Sequence, residues 1–520
     1  MLRVISAEKR DAPQTRQTDK SIDDPADHGG LTAEDPGYQV ELCKADKTPV
    51  DRTDHDEDQR NNVHFNPSLR ELVYAVFKKI FFSFRTVHNR SIRAAAAFCG
   101  DQKGPECMSV FLPADILLPK TDDFAKWAVI ACDQFTSDNA YWNRVREFVG
   151  EAPSALRLIL PEALLGSDNE DGHIRTINES MRQYLEEDRF VCYPNSYIYV
   201  ERTLENGSIR KGVVGMVDLE AYSFEEGANC AIRATEKTVV ERIPPRVRVR
   251  RDASLELPHI LMLSDDFDQQ LLKPIEERKK TLKPLYDFDL MEDGGHISGW
   301  LVSEEEAAAL DRRLAEYAET CKTQFADITE HPPIFVVGDG NHSLATAKTC
   351  YEQWKKEHPG EDASSHPSRY ALVELESIHD ASLVFEPIHR IVTDVDPEEI
   401  LQTLRDTCCA DNGYPIRWHA GQKTGMLCLD REKGELAVAV LQNFLDEYLS
   451  KHEGEIDYIH DDEALIELSK RERAIGFLLP SMEKGQLFRG VIADGCLPRK
   501  TFSMGHAREK RYYLEARKIR

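Results

Sequence analysis

The pattern of apolar and polar positions is most distinctive where an apolar, β-branched run meets two glycines. Residues 334–337 read Ile-Phe-Val-Val, Gly338-Asp339-Gly340 follows directly, and a helix-compatible segment continues to about residue 357. This succession predicts a strand, a tight loop and the N-terminus of a helix. Free backbone N–H groups and the helix dipole favour an anion at such a terminus, and glycines let the backbone approach a ligand closely.

Helical and strand-like patterns alternate along the rest of the chain. Helical spacing predicts helices at 139–149, 174–187, 265–282 and 304–325, and short apolar runs predict strands at 127–132 and 370–375. Asn206-Gly207 separates two strand patterns, at 197–203 and 209–219, and predicts a hairpin with a type I′ turn. The predicted fold class is α/β or mixed α+β with one main core.

Composition divides the chain near residue 108. Residues 1–62 are polar and almost free of aromatic side chains, so we expect disorder there. Residues 63–107 are basic and apolar, and their role is open. We expect one folded domain over residues 108–520, with Met108 as its natural start. The preceding residues are interpreted either as a targeting extension or as an upstream reading of the gene, and their acidic residues disfavour a transit peptide.

Charge and cysteine spacing narrow the class of protein. The formal net charge of −26 over 520 residues argues against a broad nucleic-acid-binding surface. The 12 cysteines form no CxxC pair, which disfavours a zinc ribbon and fits a reducing, cytoplasmic setting. No apolar run reaches the roughly 20 residues of a membrane span. We therefore expect a small-molecule partner without nucleic acid or membrane; the pattern leaves the oligomeric state open.

The loop after the glycine-rich strand end carries several reactive groups side by side. Asp339, Asn341, His342 and Ser343 supply an acid, an amide, an imidazole and a hydroxyl. Asp, Asn and Ser also cap helices well, so an ordinary N-cap is the alternative interpretation. The loop is neither a dinucleotide fingerprint nor a P-loop, because the required glycine and lysine positions are missing.

Four further patches contain candidate site residues. Glu236 is a candidate general base, with basic neighbours that suit phosphate binding. A polar pair follows a predicted strand, and ligands gather at such strand ends in α/β folds. A histidine–arginine pair stands close to a proline, and a lysine–threonine pair near the C-terminus could bind an anion. The alternatives are a solvated charged strand, a packing pair and an ordinary basic loop. The residues singled out are Arg233, Glu236 and Arg242; Asp133 and Gln134; His389 and Arg390; and Lys500 and Thr501.

Five short blocks of sequence stand out in order across roughly four-fifths of the chain. They are residues 111–120 (FLPADILLPK), 131–137 (ACDQFTS), 338–343 (GDGNHS), 386–392 (EPIHRIV) and 498–502 (PRKTF). Taken together, these blocks resemble the domain-of-unknown-function 1015 family (DUF1015) from Met108 to about Ile519, and their number and order make the resemblance specific.

The resemblance implies a phosphate box like that of the ParB/sulfiredoxin fold. ParB proteins bind CTP there, sulfiredoxins use ATP, and the related free serine kinases phosphorylate a small amino acid. An acid in the box and an earlier glutamate carry the kinase chemistry, and Asp339 and Glu236 match them here, Glu236 by order only. The sequence departs from the usual Asp-Gly-His-His-Arg at Asn341 and at Ser343, which replaces an arginine suited to phosphate.

The function expected by this analogy is a nucleotide-dependent phosphotransferase acting on a small hydroxyl-bearing metabolite. Mg²⁺ and ATP or ADP are the expected cofactors. Asp339 binds Mg²⁺ or orients the acceptor, Glu236 takes the proton, and His342 stabilises charge with Arg233, Arg242 and Arg390. The phosphate-binding set is Gly338, Gly340, Asn341, Ser343, Arg233, Arg242, His389, Arg390, Lys500 and Thr501. Two alternatives remain open: a non-catalytic nucleotide- or metabolite-binding regulator, and a metal-dependent hydrolase using Asp133, Asp339, His342 and His389, with Cys132 as a minor candidate nucleophile.

Overall fold

A computed structural model describes residues 109–136, 138–167, 169–238 and 243–520. All of these residues belong to the unit Lys103–Arg520. The predictions for residues 1–107 and the proposed start at Met108 therefore lie outside the described residues. None of the described helices is both long and apolar enough to cross a bilayer.

The largest sheet has ten strands, numbered here along the chain, and mixes parallel with antiparallel neighbours. Only the pairs β10–β14, β13–β8 and β7–β8 within it are parallel. Across the sheet the order is β11 (Lys283–Asp289), β12 (His296–Leu301), β5 (Ile198–Thr203), β6 (Ile209–Asp218), β14 (Tyr370–Ser377), β10 (Leu261–Ser264), β13 (Phe335–Asp339), β8 (Ile232–Ala234) and β7 (Tyr222–Ser223), with β1 (Phe111–Leu112) on β6.

A second sheet is antiparallel throughout, and four two-stranded pairs complete the described strands. The second sheet has the order β18 (Lys423–Leu429), β17 (Cys409–Ala420), β20 (Ala474–Leu478), β16 (His389–Thr393) and β19 (Glu455–Ile459). The pairs are β2 (Ala114–Pro119) with β4 (Phe190–Ser196), β3 (Val129–Ile130) with β22 (Tyr512–Tyr513), β9 (Leu255–Glu256) with β23 (Arg517–Lys518), and β15 (Phe385–Pro387) with β21 (Phe502–Met504).

Helices alternate with these strands, which confirms the predicted mixed α/β class. The described helices are α1 (Phe124–Trp127), α2 (Asn139–Val149), α3 (Glu170–Glu186), α4 (Ile243–Arg251), α5 (Lys273–Arg278), α6 (Glu304–Gln324), α7 (Asn341–Glu357), α8 (Pro397–Cys408), α9 (Ala437–Leu449), α10 (Asp462–Leu468) and α11 (Gln486–Ala493).

Two large apolar cores pack against the main sheet, where one had been predicted. On β6 the successive residues Val213 and Val214 belong to different cores. Successive side chains of a strand point to opposite faces, so the sheet separates the two cores. Both faces of its central strands are consequently buried, and the polar loop of residues 338–343 begins at the end of β13.

Two local predictions were wrong. The segment 265–282 contains only the short helix α5 and a 3₁₀ turn, because Asp266 accepts a bond from the Leu271 amide (2.8 Å) and Gln269 has φ 53°. The predicted hairpin is confirmed as β5–β6, but its turn is not type I′. Gly207 has φ 80° and donates to the Leu204 carbonyl, whereas Asn206 is not among the positive-φ residues, so the loop is a type I turn closed by a left-handed glycine.

Candidate functional site

The glycine-bracketed loop forms part of the wall of a cleft of about 740 Å³. The other walls include residues 133–136, residues 235 and 236 after β8, and residues between 500 and 510 near the C-terminus. The lining residues are Asp133, Gln134, Thr136, Glu162, Thr235, Glu236, Arg246, Gly338, Asp339, Gly340, Asn341, His342, Ser343, Glu386, Ile388, His460, Lys500, Phe502, Ser503, Met504, Gly505, His506, Ala507 and Lys510.

Glycine suits the two bracketing positions of the loop, where a Cβ would be crowded. Gly340 has φ 79°, and a Cβ there would lie 3.0 Å from a side-chain atom of Ile260 and 3.1 Å from its Cα. A Cβ at Gly338 would lie 2.7 Å from Leu263. The left-handed conformation of Gly340 turns the chain from β13 into α7 within one residue, and the close packing leaves little room for a side chain there.

No side chain caps the N-terminus of α7 in the described structure, so the ordinary N-cap interpretation is wrong. The side chains that could cap it have other partners. Asp339 Oδ1 accepts from the Gly340 amide (2.9 Å), and Asn341 accepts from the Thr235 amide (3.2 Å) and donates to the Thr235 hydroxyl (3.1 Å). The positive end of the α7 dipole at the cleft wall is therefore not neutralised by a capping side chain.

Two carboxylates of the cleft stand beside lysines. Asp339 Oδ2 lies 3.4 Å from Lys510 Nζ, and Glu236 Oε1 accepts from the Lys500 amide at 3.1 Å. Burial raises the pKa of Glu236, and the Asp339 carboxylate adds to this, while Lys500 opposes it. A carboxylate with a raised pKa holds a proton more readily than usual, which suits a general base.

A third acid, Asp133, faces the same cleft beside a buried histidine. Burial opposes ionisation of Asp133, but His259, the bond from Gln134 and Lys510 together lower its pKa. His259 is 8% exposed, and burial lowers its pKa, against the attraction of Asp133 and Asp339. The imidazole is therefore neutral near neutral pH.

Hydrogen bonds link this histidine to the loop and to the C-terminal segment. His259 Nε2 lies 2.7 Å from the Ser343 hydroxyl, and Nδ1 lies 2.9 Å from the Tyr513 hydroxyl. Tyr513 also accepts from the Cys132 amide at 3.1 Å. Burial raises the pKa of the Cys132 thiol to about 12, so the minor prediction of a cysteine nucleophile at this position has no support, since the thiolate is the reactive form.

The structure brings ten of the predicted site residues together in the cleft. They are Asp133, Gln134, Glu236, Gly338, Asp339, Gly340, Asn341, His342, Ser343 and Lys500. Arg242 lies outside the described residues. Four other predicted residues do not line the cleft: Arg233, His389, Arg390 and Thr501.

These four side chains are engaged in bonds that hold the fold. Arg233 donates to the Cys230 and His331 carbonyls. Arg390 is fully buried and donates to three carbonyls, two of them on residues 499 and 500, and to the Gln442 amide oxygen. His389 pairs with Asp462 (2.7 Å), and the Thr501 hydroxyl donates to the Pro498 carbonyl (2.6 Å). We therefore assign them no phosphate contact; Arg390 instead fixes the backbone that presents Lys500.

Several residues in and beside the cleft were missed in the sequence; of these, His259 does not line the cleft itself but borders the cavity next to it. Thr235 stands directly before Glu236, so its proximity to the predicted base was the one available signal. His259 and Lys510 stand in segments with no recognisable motif, far in sequence from the loop. Arg246, which pairs with Glu162, lies on a helix of ordinary basic character.

Solved structures offer only weak similarities. Free serine kinase in complex with AMP is 10% identical with a TM-score of 0.32, over 58% of this chain and 91% of that chain. A conserved hypothetical protein from Pyrococcus furiosus is 9% identical with a TM-score of 0.29, over 57% and 93%. SbnI with a C-terminal truncation from Staphylococcus aureus is 16% identical with a TM-score of 0.22, over 36% and 75%. These similarities are too weak to transfer an activity.

Comparison by sequence gives a clearer result. No curated protein matches this chain. The family model described as protein of unknown function (DUF1015) matches residues 112–517, which include all the cleft residues named above. The match confirms the resemblance found in the sequence. The chain belongs to the DUF1015 family.

Proposed function

We propose that this protein is a nucleotide-dependent phosphotransferase acting on a small hydroxyl-bearing metabolite. The observation that carries the proposal is the N-terminus of α7, which meets a polar cleft with no side-chain cap. Such a terminus presents backbone N–H groups and a positive dipole end to a phosphate. In this proposal the nucleotide phosphates bind to residues 338–342 and to the first turn of α7.

The surrounding side chains divide the chemistry between them. Asp339 orients the acceptor hydroxyl, and Glu236 takes its proton. Lys500 and Lys510 supply positive charge beside these two acids, and His342 lines the same wall. Negative charge that develops on the transferring group is stabilised by such prepositioned donors. The two lysines therefore replace Arg233 and Arg390 as the groups that stabilise this charge.

A magnesium ion is compatible with Asp339. Mg²⁺ is commonly held by one or two carboxylates together with substrate phosphates, and the Asp339 side chain is 24% exposed at the cleft. When bound, the ion would neutralise phosphate charge. Asp339 would hold it, and Lys510 would have to yield one carboxylate oxygen.

Two other functions are less well supported. A metal-dependent hydrolase would need several ligands, and no group of three His, Cys, Asp or Glu side chains in the described residues is arranged to hold a metal ion. A nucleotide-binding regulator without chemistry would use the same cleft. Product formation separates it from the phosphotransferase.

The test measures binding and turnover on the full chain. Calorimetry against ATP, ADP, CTP and GTP with Mg²⁺ identifies the nucleotide, and a product screen with hydroxyl-bearing amino acids identifies the acceptor. Asp339→Asn should lower turnover about a thousandfold. The midpoint of its unfolding transition should stay close to that of the unmodified protein.

A matched control is available in Asp218. This aspartate is buried and paired with Arg369 at 2.6 Å, away from the residues that line the cleft. Asp218→Asn should lower stability and leave turnover of the folded protein unchanged. Equal turnover in Asp339→Asn and the unmodified protein would reject the assignment, and binding without any product would favour the regulator.

A further inference from the structure

Ser343 has a base within reach of its hydroxyl. It is the third residue of α7 and lines the cleft. Its Oγ lies 2.7 Å from Nε2 of His259. A serine hydroxyl is a weak nucleophile at its ordinary pKa and becomes useful when a general base at hydrogen-bond distance can take its proton.

A hydrogen bond at its second ring nitrogen fixes the orientation of the His259 imidazole. Nδ1 lies 2.9 Å from the Tyr513 hydroxyl, which is itself held by the Cys132 amide. In the tautomer whose Nδ1–H donates to Tyr513, Nε2 is the acceptor for the Ser343 O–H. This follows the order nucleophile, base and orienting group that activated serines share.

The surroundings of His259 suit a general base, which first accepts a proton and later returns it. Its burial keeps the imidazole neutral, so Nε2 is available to accept a proton. The carboxylates of Asp133 and Asp339 favour the cationic form, and would stabilise the imidazolium after proton transfer. A mostly apolar cavity of about 150 Å³ adjoins Ser343 and His259, with Leu158 among its lining residues.

We propose that Ser343 accepts the phosphoryl group covalently, with His259 as its general base. The inference rests on the proposed function for its donor, a nucleoside triphosphate. Ser343 Oγ bonds to the γ-phosphorus, the bond from that phosphorus to the β–γ bridging oxygen breaks, and the nucleoside diphosphate leaves with the electron pair. The Ser343 proton passes to His259 Nε2.

The second step restores Ser343 and His259, and Glu236 then releases to solvent the proton that it takes from the acceptor. The acceptor hydroxyl oxygen bonds to the same phosphorus, and its proton passes to Glu236. The bond between phosphorus and Ser343 Oγ breaks, and His259 returns its proton to that oxygen. Ser343, which stands where the family motif usually has an arginine, thereby acquires a role that a phosphate-binding arginine could not perform.

The cleft contains its own control. Ser503 also lines it, but its hydroxyl donates to the Gly505 carbonyl at 2.9 Å. The two serines share one cleft and differ in whether an imidazole faces the hydroxyl. Selective reaction at Ser343 would therefore show that His259 activates its hydroxyl, because both serines are accessible from the cleft.

The first experiment needs no nucleotide. The full chain is treated with phenylmethylsulfonyl fluoride, whose sulfur a serine attacks with loss of fluoride, and the adduct is mapped by mass spectrometry. We expect modification at Ser343 and not at Ser503, and a rate about a hundredfold lower in His259→Asn. Absence of an adduct at Ser343, or equal modification of both serines in the unmodified protein, would overturn the proposal whether or not the variant folds.

The second experiment separates this proposal from the proposed function. The unmodified chain is mixed with ATP radiolabelled in the γ-phosphate and an acceptor, and quenched within one turnover. Label on Ser343 that later moves to the acceptor supports both. Labelled product without labelled protein overturns the covalent step and leaves the phosphotransferase standing. An adduct at Ser343 with no label on protein or product supports the activated serine and rejects the nucleotide as donor.

Discussion

The cleft and the interior of the main sheet both contain buried charge, but they use it differently. In the interior, a buried charge cluster joins the sheet to the C-terminal segment through Arg202, Arg210, Glu374, Glu376, Arg511 and Glu515. Arg511 contacts Glu374 at 2.8 Å and Glu515 at 2.7 Å, and Arg210 contacts Glu376 at 2.9 Å. In the cleft, the Asp339–Lys510 pair is longer, at 3.4 Å, and borders open volume.

The comparison shows that buried charge alone does not identify a site. Within the charge cluster, Arg511 is paired with the carboxylates of Glu374 and Glu515, so these charges are committed to structure. The cleft combines loosely paired acids with a helix terminus that lacks a side-chain cap. A ligand can complete the arrangement in the cleft, whereas Arg511 and its two carboxylates are already paired with one another.

The largest expected effect is on stability and comes from the buried charge cluster. Arg511→Met would leave the Glu374 and Glu515 carboxylates buried without their shared partner. Removing one member of a buried ion pair costs about 3 kcal/mol or more, so the free energy of unfolding, measured by urea denaturation, should fall by that amount. Asp339→Asn should change it by less than about 1 kcal/mol, because its pair is long and partly exposed. Equal losses in the two variants would contradict the distinction.

Local patterns predicted the cleft loop well because its determinants are local. The apolar run of β13, the left-handed Gly340 and the helical spacing of α7 stand next to one another in the sequence. The mixed α/β class followed from the alternation of such patterns. The 265–282 helix failed because Asp266 bonds to a backbone amide five residues later, and helical spacing does not report such competition.

The roles of individual polar side chains could not be predicted in the same way. Arg390 and His389 have the composition of an anion site, yet their partners come from residues 442, 499, 500 and 462. His259 stands 84 positions before Ser343, in the segment that leads into β10. Only the antiparallel pairing of β10 with β13 brings the two segments together, and a single sequence contains no signal of that pairing.

A smaller effect is expected at Glu236, and it concerns activity. The base must be ionised to accept a proton, so turnover should fall as the pH drops through its pKa, which burial raises above the usual 4.5. Glu236→Gln should remove this acid limb and lower turnover about a hundredfold. A raised carboxyl pKa favours the folded state below pH 4.5, and this contribution is lost as the pH rises through the folded pKa. The variant should therefore lose no stability at neutral pH.

The pH profile of turnover is the deciding measurement for Glu236. Glu226→Gln is the matched control, because Glu226 is exposed and pairs with Lys237 at the surface, at 3.3 Å. The control should keep both the turnover and the acid limb of the unmodified protein. An acid limb that survives in Glu236→Gln would assign it to another group.

The smallest effect is expected at two glycines whose backbone is left-handed, one in the cleft loop and one outside it. Gly340 (φ 79°) begins α7 at the cleft, and Gly421 (φ 60°) turns between β17 and β18, where an added Cβ would meet nothing within 4 Å. Alanine at either position should lower the free energy of unfolding by about 1 kcal/mol, since the left-handed conformation disfavours a Cβ. Only Gly340→Ala also meets Ile260, so only this variant should shift the loop and raise the nucleotide Kd severalfold by calorimetry. A matching loss of affinity in Gly421→Ala would mean that binding follows general stability and not the geometry of the α7 terminus.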